Sequence, residues 1–470
     1  MKARPGTGGQ RIDRAAAAAL VAAGAAFVSA AVPDSPTPPA PPAAANLMFT
    51  AATVGNATIC GCRGARAGGI ARRVHLMKTW DAVSKGPAVW VDGGSSLTFA
   101  SPQEIETDAL ILEEMRRMGY SAVTVSGLDL DPQVGFFDRT LGAAELPFLS
   151  ANLTYHDTGL APWPAWKSLV VPAAAGAADQ RPIRIGVIGV TAGLAWNTAA
   201  GSRGRTLIAS DPVEAVRKIY LEVRAASDLV IVTTSADENV MASLAASVPG
   251  IDLILSAVEH RAWDAPRTFG TTTALLAGDR GREVVRVAIR RTGTVVRFDL
   301  ERIRLAEGEM PEDPETAARV GAALDRFNEE SRSLMTAHAE KTPGPPIAPW
   351  VGAVSCVPCH AEANTVWTGS SHAHALETLK AVKRDYTRTC VLCHVTGWDN
   401  PEGGGFKDPA TTPQLVDVQC EACHGPAADH IADPSAPYGV VKVPERCQNC
   451  HDKANSAEFE YTSYWKKIAH

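Results

Sequence analysis

Four times between Cys356 and His451 the chain places two cysteines three residues apart and a histidine directly after the second. The sets are Cys356/Cys359/His360, Cys390/Cys393/His394, Cys420/Cys423/His424 and Cys447/Cys450/His451. This spacing suits covalent porphyrin attachment: two thioether bonds fix the macrocycle edge, and the next imidazole lies under the iron as proximal ligand. Paired Cys-x-x-Cys motifs also make structural zinc sites, but a zinc ribbon has no need of a histidine after every second cysteine. A disulfide framework is poorly served by tight pairs separated by long gaps. Four covalently bound haem c groups are therefore expected, using eight of the ten cysteines. Cys60 and Cys62 are left over, and a strained disulfide, a metal contact or two plain thiols all remain open for them.

The second axial ligand separates electron transfer from chemistry, because an iron with two histidines is saturated and an open position binds a small molecule. Four histidines outside the motifs, His372, His374, His430 and His470, lie within the same segment, and His338 stands just before it. They are the candidate distal ligands. His372 and His374 are two residues apart, so on a helix they point in different directions and serve different irons or none.

The elements that must hold these residues divide the chain. Residues 350–470 have little hydrophobic periodicity and few aliphatic side chains, so four macrocycles are expected to supply the interior that the chain lacks. Residues 306–349 read as a helix opened by Asp313-Pro314, with Val320, Leu324, Phe327 and Leu334 or Met335 on one face, followed by a Pro-rich linker. Residues 47–305 alternate short apolar runs with amphipathic stretches, the pattern of an α/β layered domain. Expected strands include Leu47–Ala52, Ala88–Asp92, Ala122–Ser126, Phe148–Leu153, Ile183–Thr191, Leu229–Val232 and Ile251–Leu255. Expected helices include Pro102–Met118 and one after Asp211 as N-cap.

At the start, Lys2, Arg4, Arg11 and Arg14 precede an Ala-rich apolar run, which reads as a signal peptide over residues 1–31, with a Pro/Ala-rich tether over 32–46. The expected location is periplasmic or otherwise exported, with no membrane span after cleavage. A formal net charge of -6 gives no electrostatic case for nucleic acid. Hydrophobic residues at 46% and charged residues at 20% exclude general disorder and a multi-span membrane protein.

The last segment resembles the cytochrome c-552/c-554 family of multihaem cytochromes. The resemblance rests on Trp367-Thr-Gly-Ser-Ser-His372-Ala-His-Ala, Cys390-Val-Leu-Cys-His-Val-Thr-Gly397, Val418-Gln-Cys-Glu-Ala-Cys-His-Gly-Pro426 with His430, and the closing Tyr464-Trp-Lys-Lys-Ile-Ala-His470. It implies His372 or His374, His430 and His470 as distal ligands and one haem with an open iron, leaving His374 or His338 as alternatives to close it. Residues 47–305 resemble the metal-binding half of the periplasmic 5'-nucleotidases, a branch of the calcineurin-like metallophosphoesterases. That likeness is carried by Gly68-Gly69-Ile70-Ala71-Arg72-Arg73, Val89-Trp90-Val91-Asp92-Gly93-Gly94, Leu146-Pro-Phe-Leu-Ser-Ala-Asn152, Ile185-Gly-Val-Ile-Gly-Val-Thr191 and Val248-Pro-Gly-Ile-Asp-Leu-Ile254.

Against that family, the metal ligands are mostly replaced. Asp-x-His becomes Ala52-Thr53-Val54, the bridging Asp becomes Ser95, and Asn-His becomes Gly127-Leu128 beside Asp129. Ser-His becomes Thr234-Ser235, and Gly-His-x-His keeps only His260. Two-metal hydrolysis needs those ligands. The expected fold is thus an α/β layered metallophosphoesterase-like sandwich followed by a mainly α/irregular multihaem cytochrome c domain. The expected function is electron relay between redox partner proteins beside an inactive scaffold or docking domain. The rivals are an oxidoreductase acting on a small nitrogen or sulfur species at one open haem, and an active phosphoesterase.

Overall fold

The computed structural model describes residues 45–60, 66–80, 86–97, 102–130, 145–175, 179–192, 198–200, 206–258, 262–278, 280–341, 348–398, 404–439, 444–452, 456 and 459–470. The expected leader over 1–31, most of the expected tether, Cys62, His260 and the Pro-rich break at 342–346 lie outside the described residues, as do the side chains of Cys60 and His338.

Two six-stranded sheets form the middle of the first segment. One runs Val295–Arg304, Glu283–Thr292, Ala45–Thr50, Ala88–Asp92, Ala122–Thr124, Phe148–Leu149. The other runs Arg267–Phe269, Thr272–Leu276, Leu253–Ser256, Leu229–Thr234, Ile183–Val190, Trp166–Val171. The four inner strands of the second sheet are mutually parallel, and their near-continuous apolar runs suit strands covered on both faces. Leu47, Phe49, Val91, Ile185, Val187, Leu253, Val285 and Val287 fill the space between the sheets. Gly189 lets the sheets close up, since a Cβ there would lie 2.6 Å from that of Leu149.

Helices cover both outer faces. Ile70–Trp80, Pro102–Met118 and Pro314–Lys341 share a core with the first sheet, and Pro212–Ala226 and Glu238–Ser247 share one with the second. Asp211 caps its helix as expected, accepting from Glu214 N at 2.9 Å. The helix Ile70–Trp80 was not legible from periodicity because Arg72 and Arg73 occupy buried positions on it. The expected strand Phe148–Leu153 is instead two strands, ending at Leu149 and restarting at Leu153. The break comes from side chains: Asn152 pairs with Thr191 through both its amide groups, and Ser150 meets the Thr191 hydroxyl at 2.8 Å.

The helix Pro314–Lys341 joins the two halves. Asp313 accepts from Thr316 N at 2.9 Å, and Val320, Leu324 and Phe327 are buried against the first sheet's helices. Met335 faces inward and Leu334 is 63% exposed, which settles the choice left open by the sequence. Met335 packs with Trp350, Leu376, Leu379, Val391, Val395, Phe406 and Leu415 of the last segment. That segment therefore does own a small apolar cluster, contrary to expectation, but only in its first half. Beyond Leu415 the buried apolar residues among those described reduce to Ala427. Polar clasps complete the joint: Lys383 Nζ to Asp325 at 2.6 Å, Asn328 to Asp385 at 2.9 Å and Arg384 to Gly55 O at 3.2 Å. Among the described residues no helix is long and apolar enough to cross a membrane.

Candidate metal centres

Each motif folds as a single tight turn. His360 N bonds Cys356 O at 3.0 Å, His451 N bonds Cys447 O at 2.9 Å, and Cys420–His424 is a short helix. One helical turn brings residues three and four apart onto one side, so both sulfurs and the imidazole of a motif can address one ligand. The Cys356 and Cys420 thiols lie close enough to act on each other electrostatically, as do those of Cys393 and Cys450. Motifs 1 and 3 thus adjoin, and so do motifs 2 and 4.

The spare histidines are brought to the motif histidines in pairs. His430 faces His360 with ring centroids 6.4 Å apart, His372 faces His451 at 6.0 Å, and His470 faces His424 at 5.9 Å. Two metal–imidazole bonds of about 2.0–2.1 Å in line, with the radius of each ring added, put centroids roughly 6 Å apart. His374 is left out: it is exposed and lies 3.7 Å from Glu377. The turn Ser371–His374 sends the two neighbours apart, as two-residue spacing requires. Among the described side chains no second imidazole ring faces His394.

Four of the outer nitrogens are held. Nδ1 of His394 donates to Ala375 O at 2.7 Å, that of His424 to Gly439 O at 2.6 Å and that of His470 to Ile468 O at 2.9 Å. His451 Nδ1 meets Ser456 Oγ at 2.9 Å. Donation through Nδ1 fixes the tautomer and leaves Nε2 with its lone pair for a metal. A side chain at Gly439 would strike this arrangement, since its Cβ would lie 3.0 Å from the His424 ring. Burial lowers the basicity of His372, and the nearby His451 and His394 lower it further. Burial lowers that of His451 too, although Asp452 opposes it. Both effects favour the neutral imidazole that binds metal.

These residues fit a c-type haem better than zinc. A zinc site needs converging ligands, and among the described residues no three His, Cys, Asp or Glu side chains form such a group. Imidazoles in facing pairs with a gap between them fit a planar metallomacrocycle. His430 Nδ1 is buried without a hydrogen-bond partner. Val354 is 83% exposed, and Val357, Leu392 and Ile431 beside the motifs are exposed as well, the apolar lining a porphyrin would cover.

Residues 355–425 match the family described as cytochrome c554 and c-prime. That family implies covalently bound c-type haem in the matched segment. A cytochrome c-554 from Nitrosomonas europaea is 36% identical over 101 residues, covering 18% of this chain and 42% of that protein. The chain therefore spans about two-fifths of that relative's length. The first segment is similar to a sulfate thiohydrolase from Thermus thermophilus solved with glycerol, at TM-score 0.51 and 18% identity over 62% of each chain. A 5'-nucleotidase precursor from Thermus thermophilus gives 0.49 at 18% identity, over 62% of this chain and 59% of that one. The first of these likenesses speaks for the fold alone: an α/β layered metallophosphoesterase-like domain, followed here by a helical cytochrome-like region.

In the α/β domain, the loops that would carry metal ligands close on each other. Ala52 N bonds Gly94 O at 2.8 Å and Val54 N bonds Ser95 O at 3.1 Å. Ala52, Val54 and Ser95 hold left-handed backbone, with φ of 48°, 47° and 57°, a costly state for a β-branched valine. Both Asp129 oxygens are spent on backbone, accepting from Ser95 N, Ser96 N and Ser126 N. Thr234 is buried, Leu128 is exposed and Val258 is half-buried. Beside the loops lies the buried guanidinium of Arg73, donating to Thr53 Oγ1 at 2.9 Å.

Asp92, at the end of its strand, accepts from Thr50 Oγ1 at 2.6 Å, Gly94 N at 2.9 Å and Ser96 Oγ at 3.1 Å. Burial nevertheless pushes its carboxyl up to about 6, against the Thr50 hydrogen bond and the Arg73 charge. The folded value lies above the unfolded one, so the folded state holds the extra proton. Its stabilising effect is full below the ordinary value of 3.8 and is lost as pH rises through about 6. Denaturant unfolding from pH 4 to pH 7.5 should therefore show a steeper loss of stability in the wild type than in Asp92→Asn. Parallel profiles would contradict this assignment.

Proposed function

We propose that this chain is an exported electron carrier with four c-type haems on residues 350–470, held beside an α/β domain over residues 47–305 that hydrolyses nothing. The helix and linker over 306–349 join them. Cys356 and Cys359, Cys390 and Cys393, Cys420 and Cys423, and Cys447 and Cys450 hold the macrocycles. His360 with His430, His424 with His470, and His451 with His372 would each fill both axial positions of one iron. When bound, a c-type haem supplies a one-electron ferric/ferrous couple. The chain's own part is to hold the His394, His424, His451 and His470 imidazoles through their outer nitrogens, cover the apolar faces, and bring motif 1 to motif 3 and motif 2 to motif 4. The electron donor and acceptor are other redox proteins. The observation that carries this reading is the pairing of three motif histidines with three spare histidines at iron-spanning distance.

Electron paramagnetic resonance of the oxidised protein tests it. His430→Ala, His470→Ala and His372→Ala should each turn one low-spin iron high-spin with haem content intact. His374→Ala should leave the spectrum unchanged. Unaltered spectra in the first three variants would remove these ligand assignments.

A second reading has one observation in its favour: no imidazole among the described side chains faces His394. The motif 2 haem would then bind a small molecule, and carbon monoxide added to the reduced protein should shift the absorption of one haem. Saturation of all four positions by protein would count against it.

A further inference from the structure

Glu421 stands inside motif 3, between the two cysteines, and is fully buried. Its Oε1 accepts from Val351 N at 3.0 Å and Ala427 N at 2.8 Å, and its Oε2 from Val351 N at 3.1 Å and Gly352 N at 2.8 Å. All four contacts are backbone donors. Both oxygens accept and nothing beside them accepts a proton in return, so the group sits there as a carboxylate. Among the described residues no basic side chain pairs with it. Gln419 reinforces the same seam, accepting from Ala353 N at 2.6 Å.

Two of the donors, Val351 N and Gly352 N, belong to the chain that leads into motif 1, so this carboxylate ties the motif 1 entry to the motif 3 helix. Its charge bears on Cys356, Cys420 and Tyr438, the attachment side of those two motifs. A buried charge is screened far less than an exposed one. Of the anions next to motifs 2 and 4, Asp452 is exposed to solvent and Asp417, which accepts from Leu376 N at 2.8 Å, is only half-buried. An unpaired anion in a low-dielectric interior stabilises ferric over ferrous iron, and so lowers the potential of a nearby haem.

We infer that Glu421 is the buried anion that keeps the haems at motifs 1 and 3 at lower potential than those at motifs 2 and 4, giving the array its direction. The inference rests on the four-haem reading above. Each transfer moves one electron: an iron of the first pair goes from ferrous to ferric as one of the second goes from ferric to ferrous. Glu421 acts as a positioning and tuning residue, since it ligates no iron.

The test is a spectroelectrochemical titration of the full-length haem-loaded protein and of Glu421→Gln. In the variant, two of the four couples should rise, with the reduced-to-oxidised ratio at fixed poise up about tenfold, or about 59 mV for one electron. Haem content and low-spin signals should be unchanged, a pattern that a merely structural role would not produce. Four unmoved couples in a fully loaded variant overturn the inference. A measurement that needs no variant at Glu421 decides it independently: the couples that move in His430→Ala and His470→Ala identify motifs 1 and 3. In the wild type these must be the lower pair, and the reverse order overturns the inference even if Glu421→Gln fails to assemble. A wild-type protein without haem would instead remove the reading beneath it.

Discussion

Replacing Cys390 and Cys393 together by serine is expected to lower bound haem from four to three per chain and to abolish the high-spin iron signal. The two effects should coincide because motif 2 differs from the others in one respect. His360, His424 and His451 each face a second imidazole. His394 has its Nδ1 tied to Ala375 O and no facing ring among the described side chains. On the reading of an open motif 2 iron, removing the thioethers there takes away the iron with the free position. The paired control, serine at Cys420 and Cys423, should also lose one haem but keep the high-spin signal and lose a low-spin one. Haem stoichiometry by pyridine haemochrome and spin state by electron paramagnetic resonance read both. A high-spin signal that survives at full size in the motif 2 variant would show that the open iron lies elsewhere.

The second large effect is an absence of catalysis: the full-length protein with manganese, zinc or cobalt should hydrolyse neither nucleotides nor generic phosphomonoesters at a metal-dependent rate. The mechanism needs two cations roughly 3.5–4 Å apart, one to activate water and both to stabilise the displacement. Ala52, Val54, Leu128 and Val258 offer no lone pairs, and the Ser95 hydroxyl is a neutral and poor bridge. Asp129, the acidic residue retained nearby, already spends both oxygens on backbone N–H groups. The loops themselves are stitched together through Ala52 N and Val54 N. Metal-dependent turnover that disappears in His260→Ala would restore the nucleotidase reading.

What could be read in the sequence was the chemistry with fixed spacing. Cys-x-x-Cys-His is a local pattern, and its four copies stand in the structure as four tight turns. The partners of those motifs were not local. His430 reaches His360 across 70 positions, and the residues alone marked it only as one of four spare imidazoles, without saying which motif it serves. His372 and His374 could not be separated, because the choice depends on the short turn Ser371–His374 rather than on residue type. Glu421 gave no signal at all: a glutamate within a motif reads as a surface residue, and its burial depends on backbone donors at Val351 and Gly352. In the α/β domain the parallel strands were legible as apolar runs. The helix Ile70–Trp80 was not, since Arg73 is buried there to meet Thr53. The strand expected across Phe148–Leu153 failed because Asn152 leaves the ladder to bind Thr191 and Ser210.

The central claim is that residues 350–470 are built around covalently attached haem, and the ratio of haem to protein tests it most directly. Protein expressed from its full sequence in a host that matures c-type cytochromes should give, by pyridine haemochrome against protein mass, close to four haems per chain. The haem should remain with the polypeptide under denaturing conditions, since each macrocycle is held by two thioethers. A ratio near zero, with zinc recovered in its place, would contradict the account at its root.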